Sequence, residues 1–579
     1  MKNFYSAERN VQIVISLMKQ YGIKKVIASP GATNVTFVAS IQQDPYFEIY
    51  SSVDERSAAY MACGLAVESN EPVAISCTGA TASRNYMPAL TEAYYRKIPV
   101  LAITSLQNHN RIGHNMPQVL DRTVLPNDIA KISVLLRPVK NSEDEWNCNL
   151  LTNKALSELF RNGGGPVHIN LETEYLQDYS VEVLPVAKKI DRICMGDKFP
   201  AIDAEKIAII VGSHKKWSQK LEDAVDNFCE KTGAVILCDH TSNYNGKHKF
   251  NCVPYFSQQY LKKNCPDLAI HIGDVSGEYA LFAANPKNVW RVNTDGEMRD
   301  TFKHLSKVFE MSEETFFEHY AKICVAKKAD KTTLLDYYKS QTREIFAKVS
   351  ELPFSNLWIA SKMASKIPQG SVVHFAILNS LRTWNFFDLP KGVLCYSNTG
   401  GFGIDGCMSS LIGAALANKD KLYFGIIGDL SFFYDMNSLG NKNLGNNVRI
   451  LLVNNGKGAE FKLFNHLANR FGNDTDKYIA ASGHYGNKST ELVKHYATDL
   501  GVEYMCASNK DEFEKTYNRF ISPKISKPML LEVFTDSQDE STALKLISEI
   551  TLSKKSEIYK SVKEMIPRQG IELLKKVLR

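Results

Sequence analysis

An apolar run, Tyr423 to Ile427, feeds straight into Gly428-Asp429-Leu430-Ser431. A second run, Val448 to Val453, ends on Asn454-Asn455. A polar turn and a helix-like stretch lie between them. Asn455 follows Asp429 by 26 positions, about the length of one strand–helix–strand unit. In such a unit the strands are parallel, and their C-terminal ends share the sheet edge where ligands bind. The pattern commits this part of the chain to an α/β fold and sets one carboxylate beside one amide carbonyl. A hard Mg²⁺ ion takes oxygen ligands of this kind, with phosphate oxygens completing its octahedron. The same residues also suit an ordinary α/β strand end with Asp and Asn at turns, so the rest of the chain has to decide.

The whole sequence repeats the alternation. Its 579 residues exceed a single core and suit about three domains. The first α/β segment, residues 1–185, opens with a helix-like period from Glu8 to Tyr21. Short apolar runs follow at Val26–Ala28, Val73–Ser76, Val100–Ile103 and Val167–Leu171, with a break at Gly163-Gly164-Gly165-Pro166. The second segment, 190–340, has runs at Ile207–Gly212, Ala234–Cys238, Leu268–Gly273 and Val289–Val292. The third, 353–543, holds Val372–Phe375, the Asp/Asn pair and Met529–Val533. Strand and helix patterns in alternation predict α/β architecture, here three consecutive doubly wound parallel-sheet domains. The remaining residues, 544–579, form a basic tail with apolar positions at near-helical spacing, interrupted at Pro567 and Gly570.

Composition excludes several classes. No run approaches the roughly 18 apolar residues of a membrane span, and the N-terminus lacks a signal core, so a cytoplasmic protein is expected. The 12 cysteines are scattered with no C-x-x-C pair, which argues against zinc ribbons and thioredoxin-like chemistry. A net charge of +6 over this length, without a basic patch interleaved with aromatics, gives no case for nucleic acid. Ile209–His214 is a strand and turn without G-x-G-x-x-G, so no dinucleotide site is expected there.

The first segment carries a second constellation. Asp54-Glu55-Arg56 follows a strand-like Phe47–Tyr50 and opens a small-residue helix, Ala58–Val67. Alone, Glu55 reads equally as a helix N-terminal charge. It stands, however, with Ser29-Pro30-Gly31, with Cys77-Thr78-Gly79-Ala80-Thr81 running to Asn85, with Thr104-Ser105 and with Gln118, all at successive strand ends of one predicted sheet.

These residues, together with Asn398–Gly406 and Gly428–Asn437, resemble the thiamine diphosphate (ThDP)-dependent decarboxylase superfamily. Within it they are most similar to the menaquinone-pathway synthases, and also to acetolactate synthase-like enzymes. The resemblance spans nearly the whole chain and implies a pyrimidine-binding, a central and a diphosphate-binding domain. It implies that Glu55 activates the aminopyrimidine ring and that Gln118 lies near the reacting carbon. It implies cofactor contacts at Thr81, Asn85, the Phe402 carbonyl, Ile404, Gly428, Asp429, Leu430, Ser431 and Asn455. Asp429, Asn455 and the Lys457 carbonyl would hold Mg²⁺. The activity implied is decarboxylation of a 2-oxo acid and transfer of the acyl-anion unit to an acceptor, with simple aldehyde release as the alternative. A homodimer or homotetramer with sites at the subunit interface is implied, and a flavin is not.

The substrate side departs from the menaquinone-pathway pattern. Ala32-Thr33 replaces a Ser-Arg pair, Gln107 and Thr399 replace arginines, and Ser276-Gly277-Glu278 replaces basic residues. Lost arginine clamps argue against a dicarboxylate acceptor. Glu460 adds an acid where that family is apolar, and an acceptor carboxylate facing it would be repelled. Arg84, Asn85, Gln107, Arg382, Trp384 and Glu460 are the candidate substrate contacts. His109 and His114 read as loop residues, His114 as a solvated one.

Overall fold

The computed structural model describes residues 4–324, 333–483, 489–524 and 526–552, together with 554, 557, 558, 560 and 561. The tail's expected break at Pro567 and Gly570, and most of its basic positions, lie outside the described residues. The chain forms two compact units, Met1–Asp197 with Gly296–Val308, and Lys198–Asp295 with Phe309–Arg579.

The first unit is built on a six-stranded parallel sheet. Its strands are β1 (Lys25–Ala28), β2 (Glu48–Ser51), β3 (Val73–Thr78), β4 (Val100–Leu106), β5 (Ser133–Leu136) and β6 (Val167–Glu172), in spatial order β2-β1-β3-β4-β6-β5. Successive side chains of a strand face opposite sides. Val26, Ala74 and Leu101 therefore enter one apolar core, while Ile27, Ile75 and Ala102 enter another. A sheet covered on both faces needs continuous apolar strands, which is what the sequence shows. The amphipathic helix Arg9–Gln20 packs on the first face. The helix Glu55–Ser69 packs on the second through Ala58, Ala59, Ala62 and Ala66, small residues that allow a close approach. Asp54 caps it, its Oδ1 accepting the Ser57 N–H at 2.7 Å. A short strand, β7 (Asp191–Cys194), follows in this unit.

The second unit contains β8 (Ile207–Val211), β9 (Val235–Cys238), β10 (Lys249–Asn251), β11 (Leu268–Ile272) and β12 (Asn288–Asn293), parallel and in spatial order β10-β9-β8-β11-β12. After β13 (Leu305–Glu310), which crosses the boundary between the units, comes a further parallel sheet. It is made of β14 (Val372–Phe375), β15 (Leu394–Ser397), β16 (Tyr423–Gly428), β17 (Val448–Asn454), β18 (Glu503–Ala507) and β19 (Met529–Phe534), ordered β15-β14-β16-β17-β19-β18. Numbered from its own first strand, this order is identical to that of the first sheet. The helix Cys407–Ala415 lies so close to β16 that a Cβ on Gly425 would sit 2.6 Å from Leu411 Cδ2. Polar side chains join the two sheets of this unit. Asn243 exchanges hydrogen bonds with the Cys395 backbone at 2.7 and 3.0 Å, and Ser213 Oγ meets Thr399 Oγ1 at 3.0 Å.

The strands expected from apolar runs all form. β5, β7, β10, β13, β15 and β18 are additional. The helix Ser537–Ser548 crosses the expected start of the tail at 544. All described helices are too short or too polar to cross a membrane.

Candidate functional site

In the second unit, β16 ends at Gly428 and β17 at Asn454, and the two pair in register from Tyr423 with Val448 to Gly428 with Val453. That register delivers Asp429 and Asn455 to the same edge. Asp429 is 2% exposed. Its Oδ2 accepts the backbone N–H groups of Asn455, Gly456 and Lys457 at 3.1, 2.5 and 3.1 Å, and its Oδ1 accepts only that of Leu430, at 2.6 Å. Burial pushes the Asp429 carboxyl up to about 6, against the pull of those four N–H donors. Oδ1 keeps a lone pair free, and the buried Asn455 Oδ1 has no hydrogen-bond partner. A buried amide oxygen left unpaired costs stability unless a ligand takes it up.

Three observations thus fit a Mg²⁺–diphosphate group. They are a buried carboxylate with one spare lone pair, an orphaned amide oxygen beside it, and open backbone at Gly400, Gly401 and Gly428, where an added Cβ would meet nothing within 4 Å. The described residues include no group of three or more His, Cys, Asp or Glu that could hold a metal. A ligand set of one carboxylate, one amide and a backbone carbonyl would not form such a group.

Phe402 adopts φ +55°, a left-handed conformation uncommon for a bulky residue. It turns the backbone just before Ile404, which is half-buried and whose carbonyl accepts the Ser431 hydroxyl at 2.6 Å. This bond ties the segment of Phe402 and Ile404 to the first turn after Asp429. The Lys457 side chain faces away, onto Asp476 at 2.7 Å.

In the first unit, Glu55 opens its helix directly after β2 and is half-buried, with Asn85 Nδ2 donating to Oε2 at 3.2 Å. Thr81 and Asn85 are exposed, and Arg84 is half-buried with Nη2 on the Asp121 carbonyl at 2.8 Å. Thr33 joins the strand ends, its Oγ1 bonding Thr78 Oγ1, donating to the Ser105 carbonyl at 3.0 Å and accepting the Gly79 N–H at 3.1 Å. Gly79 has no room for a side chain, since a Cβ would lie 2.9 Å from the Ser105 carbonyl. Gln118 sits exposed at φ +62° in the loop after β4. Sequence reasoning missed Arg122, four residues on, which is 2% exposed and donates from Nη2 to Asn170 Oδ1 at 2.8 Å. A lone Arg in a loop carries no signal of burial. Gln107 lines a cavity of about 510 Å³ at the ends of β4 and β6, shared with His109 and Glu172. His109 Nδ1 lies 2.8 Å from Glu172 Oε2, so this histidine is anchored, whereas His114 is exposed as expected.

Two expectations on the substrate side are corrected. Trp384 is a core residue, fully buried, with Nε1 donating to Asn356 Oδ1 at 3.0 Å. Glu460 is not an uncompensated acid. Its Oε1 lies 2.5 Å from Arg382 Nη1, and the Arg382 guanidinium stacks on the Tyr279 ring at 4.2 Å. Repulsion of an acceptor carboxylate by a bare Glu460 charge therefore does not apply. The pair and Tyr279 line a cavity of about 290 Å³. Arg382 Nη2 and Glu460 Oε2 are both buried and unpartnered. Thr399 is 7% exposed and engaged with Ser213, which makes it a tie between the two sheets of the unit.

Comparison with known proteins identifies the family. Residues 9–125 match the model of the thiamine pyrophosphate enzyme N-terminal TPP-binding domain. The 2-succinyl-5-enolpyruvyl-6-hydroxy-3-cyclohexene-1-carboxylate synthase of Phocaeicola vulgatus is 30% identical over 559 residues, covering 93% of this chain and 98% of the relative. The synthase of Bacteroides thetaiotaomicron is 31% identical over 560 residues with the same coverage, and that of Flavobacterium johnsoniae 28% over 560 residues, covering 92% and 97%. The chain belongs to the family of thiamine diphosphate-dependent enzymes that includes these synthases.

Proposed function

We propose that the protein is a ThDP- and Mg²⁺-dependent carboligase that decarboxylates a 2-oxo acid and passes the acyl unit to an acceptor in a biosynthetic pathway. The observation that carries this reading is the buried Asp429 carboxylate beside the orphaned Asn455 oxygen at adjoining parallel strand ends. Bound ThDP supplies the nucleophilic carbon and the electron sink for loss of CO₂. Asp429 Oδ1, Asn455 Oδ1 and the Lys457 carbonyl hold the Mg²⁺ of the diphosphate, and the first turn after Gly428 presents Leu430 and Ser431 to it. Ile404 supports the cofactor, and the Phe402 carbonyl accepts from its amino group. Glu55, oriented by Asn85, would be the group that holds and exchanges a proton with the aminopyrimidine ring of bound ThDP. Gln118 orients the reacting group. The exposed face of the Glu55 helix, with Tyr60, Met61 and Val67 each about half exposed, supports assembly as a homodimer or homotetramer with sites at subunit interfaces.

The acceptor class follows from the Arg382–Glu460 pair. The pair is neutral overall, and it leaves one buried donor and one buried acceptor over the same cavity. Hydroxyls, which both donate and accept, satisfy the two atoms together. Thr33 and Thr399 are occupied in structural bonds, and no arginine stands at position 107. A neutral, polyhydroxylated acceptor therefore suits the site better than a dicarboxylate such as isochorismate.

The test is a screen of 2-oxo acids for ThDP- and Mg²⁺-dependent CO₂ release, with product analysis in the presence and absence of polyhydroxylated aldehydes. Coupled products support carboligation. Free aldehyde alone, whatever the acceptor, would reduce the activity to simple decarboxylation. Efficient turnover of 2-oxoglutarate with isochorismate would overturn the acceptor assignment.

A further inference from the structure

The second unit carries a larger groove, of about 770 Å³, that none of the residues proposed to hold ThDP or Mg²⁺ lines. Its walls come from the edge strand β10, the helix Leu334–Lys348 and the segment 386–391. Five cations line it, Lys247, Lys249, Lys339, Arg343 and Lys391, against the single acid Asp388. That is a formal excess of four positive charges in one groove, on a chain whose whole net charge is +6. Lys247 is paired with Glu230. Among the described residues the other four cations make no close ion pair, though Asp336 lies near Lys339 and Arg343, and Glu222 near Lys391. Like charges gathered in a concave wall repel one another and focus a field that attracts anions.

The apolar part of the wall is equally specific. Phe346 and Phe387 lie side by side, ring centroids 5.9 Å apart and planes 34° from parallel, and Phe346 keeps 36% of its surface exposed. Phe387 is half-buried, and an aromatic pair with one exposed member offers a stacking surface for a planar ring. Thr342 also lines the groove, and its Oγ1 is buried without a hydrogen-bond partner. The volume falls within the range of roughly 300–1,000 Å³ usual for sites that enclose one small molecule.

We propose that this groove binds a nucleoside diphosphate, with its phosphates on the unpaired lysines and Arg343 and its base on the Phe346–Phe387 pair. Phe386 lines both this groove and the cavity of the Arg382–Glu460 pair. An occupant would therefore press on the wall of the proposed acceptor site. The binding itself does not depend on the carboligase reading.

The experiment is calorimetric titration of the full chain, saturated with ThDP and Mg²⁺, with ADP, GDP and UDP. Adenosine and inorganic pyrophosphate are separate probes. At least one nucleoside diphosphate is expected to bind, at least tenfold more tightly than adenosine or pyrophosphate, and more weakly as salt is raised. The exposed-charge variant Lys339→Glu/Lys391→Glu should weaken that binding at least tenfold. Phe387→Ala should weaken the nucleotide while sparing pyrophosphate. Unchanged ThDP retention and circular dichroism show that the variants are folded. The proposal is overturned if no nucleotide binds, if pyrophosphate binds as tightly as the nucleotide, or if the charge variant binds as the parent does. A protein that binds the nucleotide but releases no CO₂ from any 2-oxo acid would refute the carboligase reading alone.

Discussion

Replacing Glu460 by Ile separates the structural from the functional role of the Arg382–Glu460 pair. For two unit charges with centres about 4 Å apart the gross attraction is about 4 kcal/mol at an effective dielectric of roughly 20. Fully exposed pairs return about 0–1 kcal/mol, and removing one partner of a fully buried pair costs about 3–5 kcal/mol. The two side chains retain 19% and 15% of their exposure, which places the pair between those limits. Glu460→Ile should therefore destabilise its domain by about 2 kcal/mol, because Arg382 is left enclosed without a counter-charge. For a domain of this size that corresponds to a fall in melting temperature of roughly 4–8 °C. Arg382→Met combined with Glu460→Ile removes both charges and should regain most of the loss, giving a coupling term of about 1–2 kcal/mol. Trp384, buried two residues from Arg382, reports the transition by fluorescence. ThDP affinity should be unchanged in Glu460→Ile, in Arg382→Met alone and in the double variant, while turnover of a polyhydroxylated acceptor falls in each. If Glu460→Ile is as stable as the parent and the double variant is less stable than either single one, the two side chains do not neutralise each other inside the protein.

Three further outcomes are expected. Asp429→Ala removes a proposed metal ligand and its charge, so calorimetry with ThDP and Mg²⁺ should show strongly weakened retention, and unchanged affinity would sink the metal assignment. Glu55→Gln keeps shape but not proton transfer. ThDP should still bind while hydrogen–deuterium exchange at thiazolium C2 slows by at least about 10²-fold, and exchange at the parental rate would exclude Glu55 as activator. Glu278 is buried, with Asn385, Arg382 and the equally buried Asp239 around it, and burial pushes its carboxyl up to about 7. A carboxyl raised in the folded state favours folding below its ordinary value of about 4.5 and loses that contribution as pH rises through 7. Glu278→Gln should thus gain stability relative to the parent between pH 5 and pH 8, by up to about 3 kcal/mol. A constant difference across that range would show that Glu278 is ionised throughout.

The fold was legible where strands are buried on both faces. Val73–Ser76, Ile207–Gly212 and Val448–Val453 are largely apolar runs, with Ser76 and Arg449 as buried polar exceptions, because each lies in a parallel sheet covered by helices on both sides. The strands that escaped notice carry weaker patterns. Lys249–Asn251 is a three-residue edge strand with a charged end, and Glu503–Ala507 is half-exposed at the edge of its sheet. Edge strands answer to solvent on one side, so composition no longer marks them. The identical strand order of the first and last sheets was equally out of reach. It lies in which strands are neighbours, and no stretch of residues repeats visibly.

The site divides along the same line. The placement of Asp429, Asn455 and Glu55 at strand ends was legible because a register of parallel strands is a local property of the chain. Glu460 was misjudged because its charge state is not local. Its partner, Arg382, lies 78 positions away on a short helix of the same unit, and the Tyr279 ring that holds the guanidinium comes from a third element. An acid read alone implied repulsion of anions, whereas the same acid beside an arginine presents one donor and one acceptor. The resemblance read from the sequence is carried by the residues expected to hold the cofactor, and the departures fall on those expected to hold an acceptor carboxylate. On the proposed reading, cofactor chemistry and acceptor choice rest on different residues of this chain, and a change in one set is expected to leave the other intact.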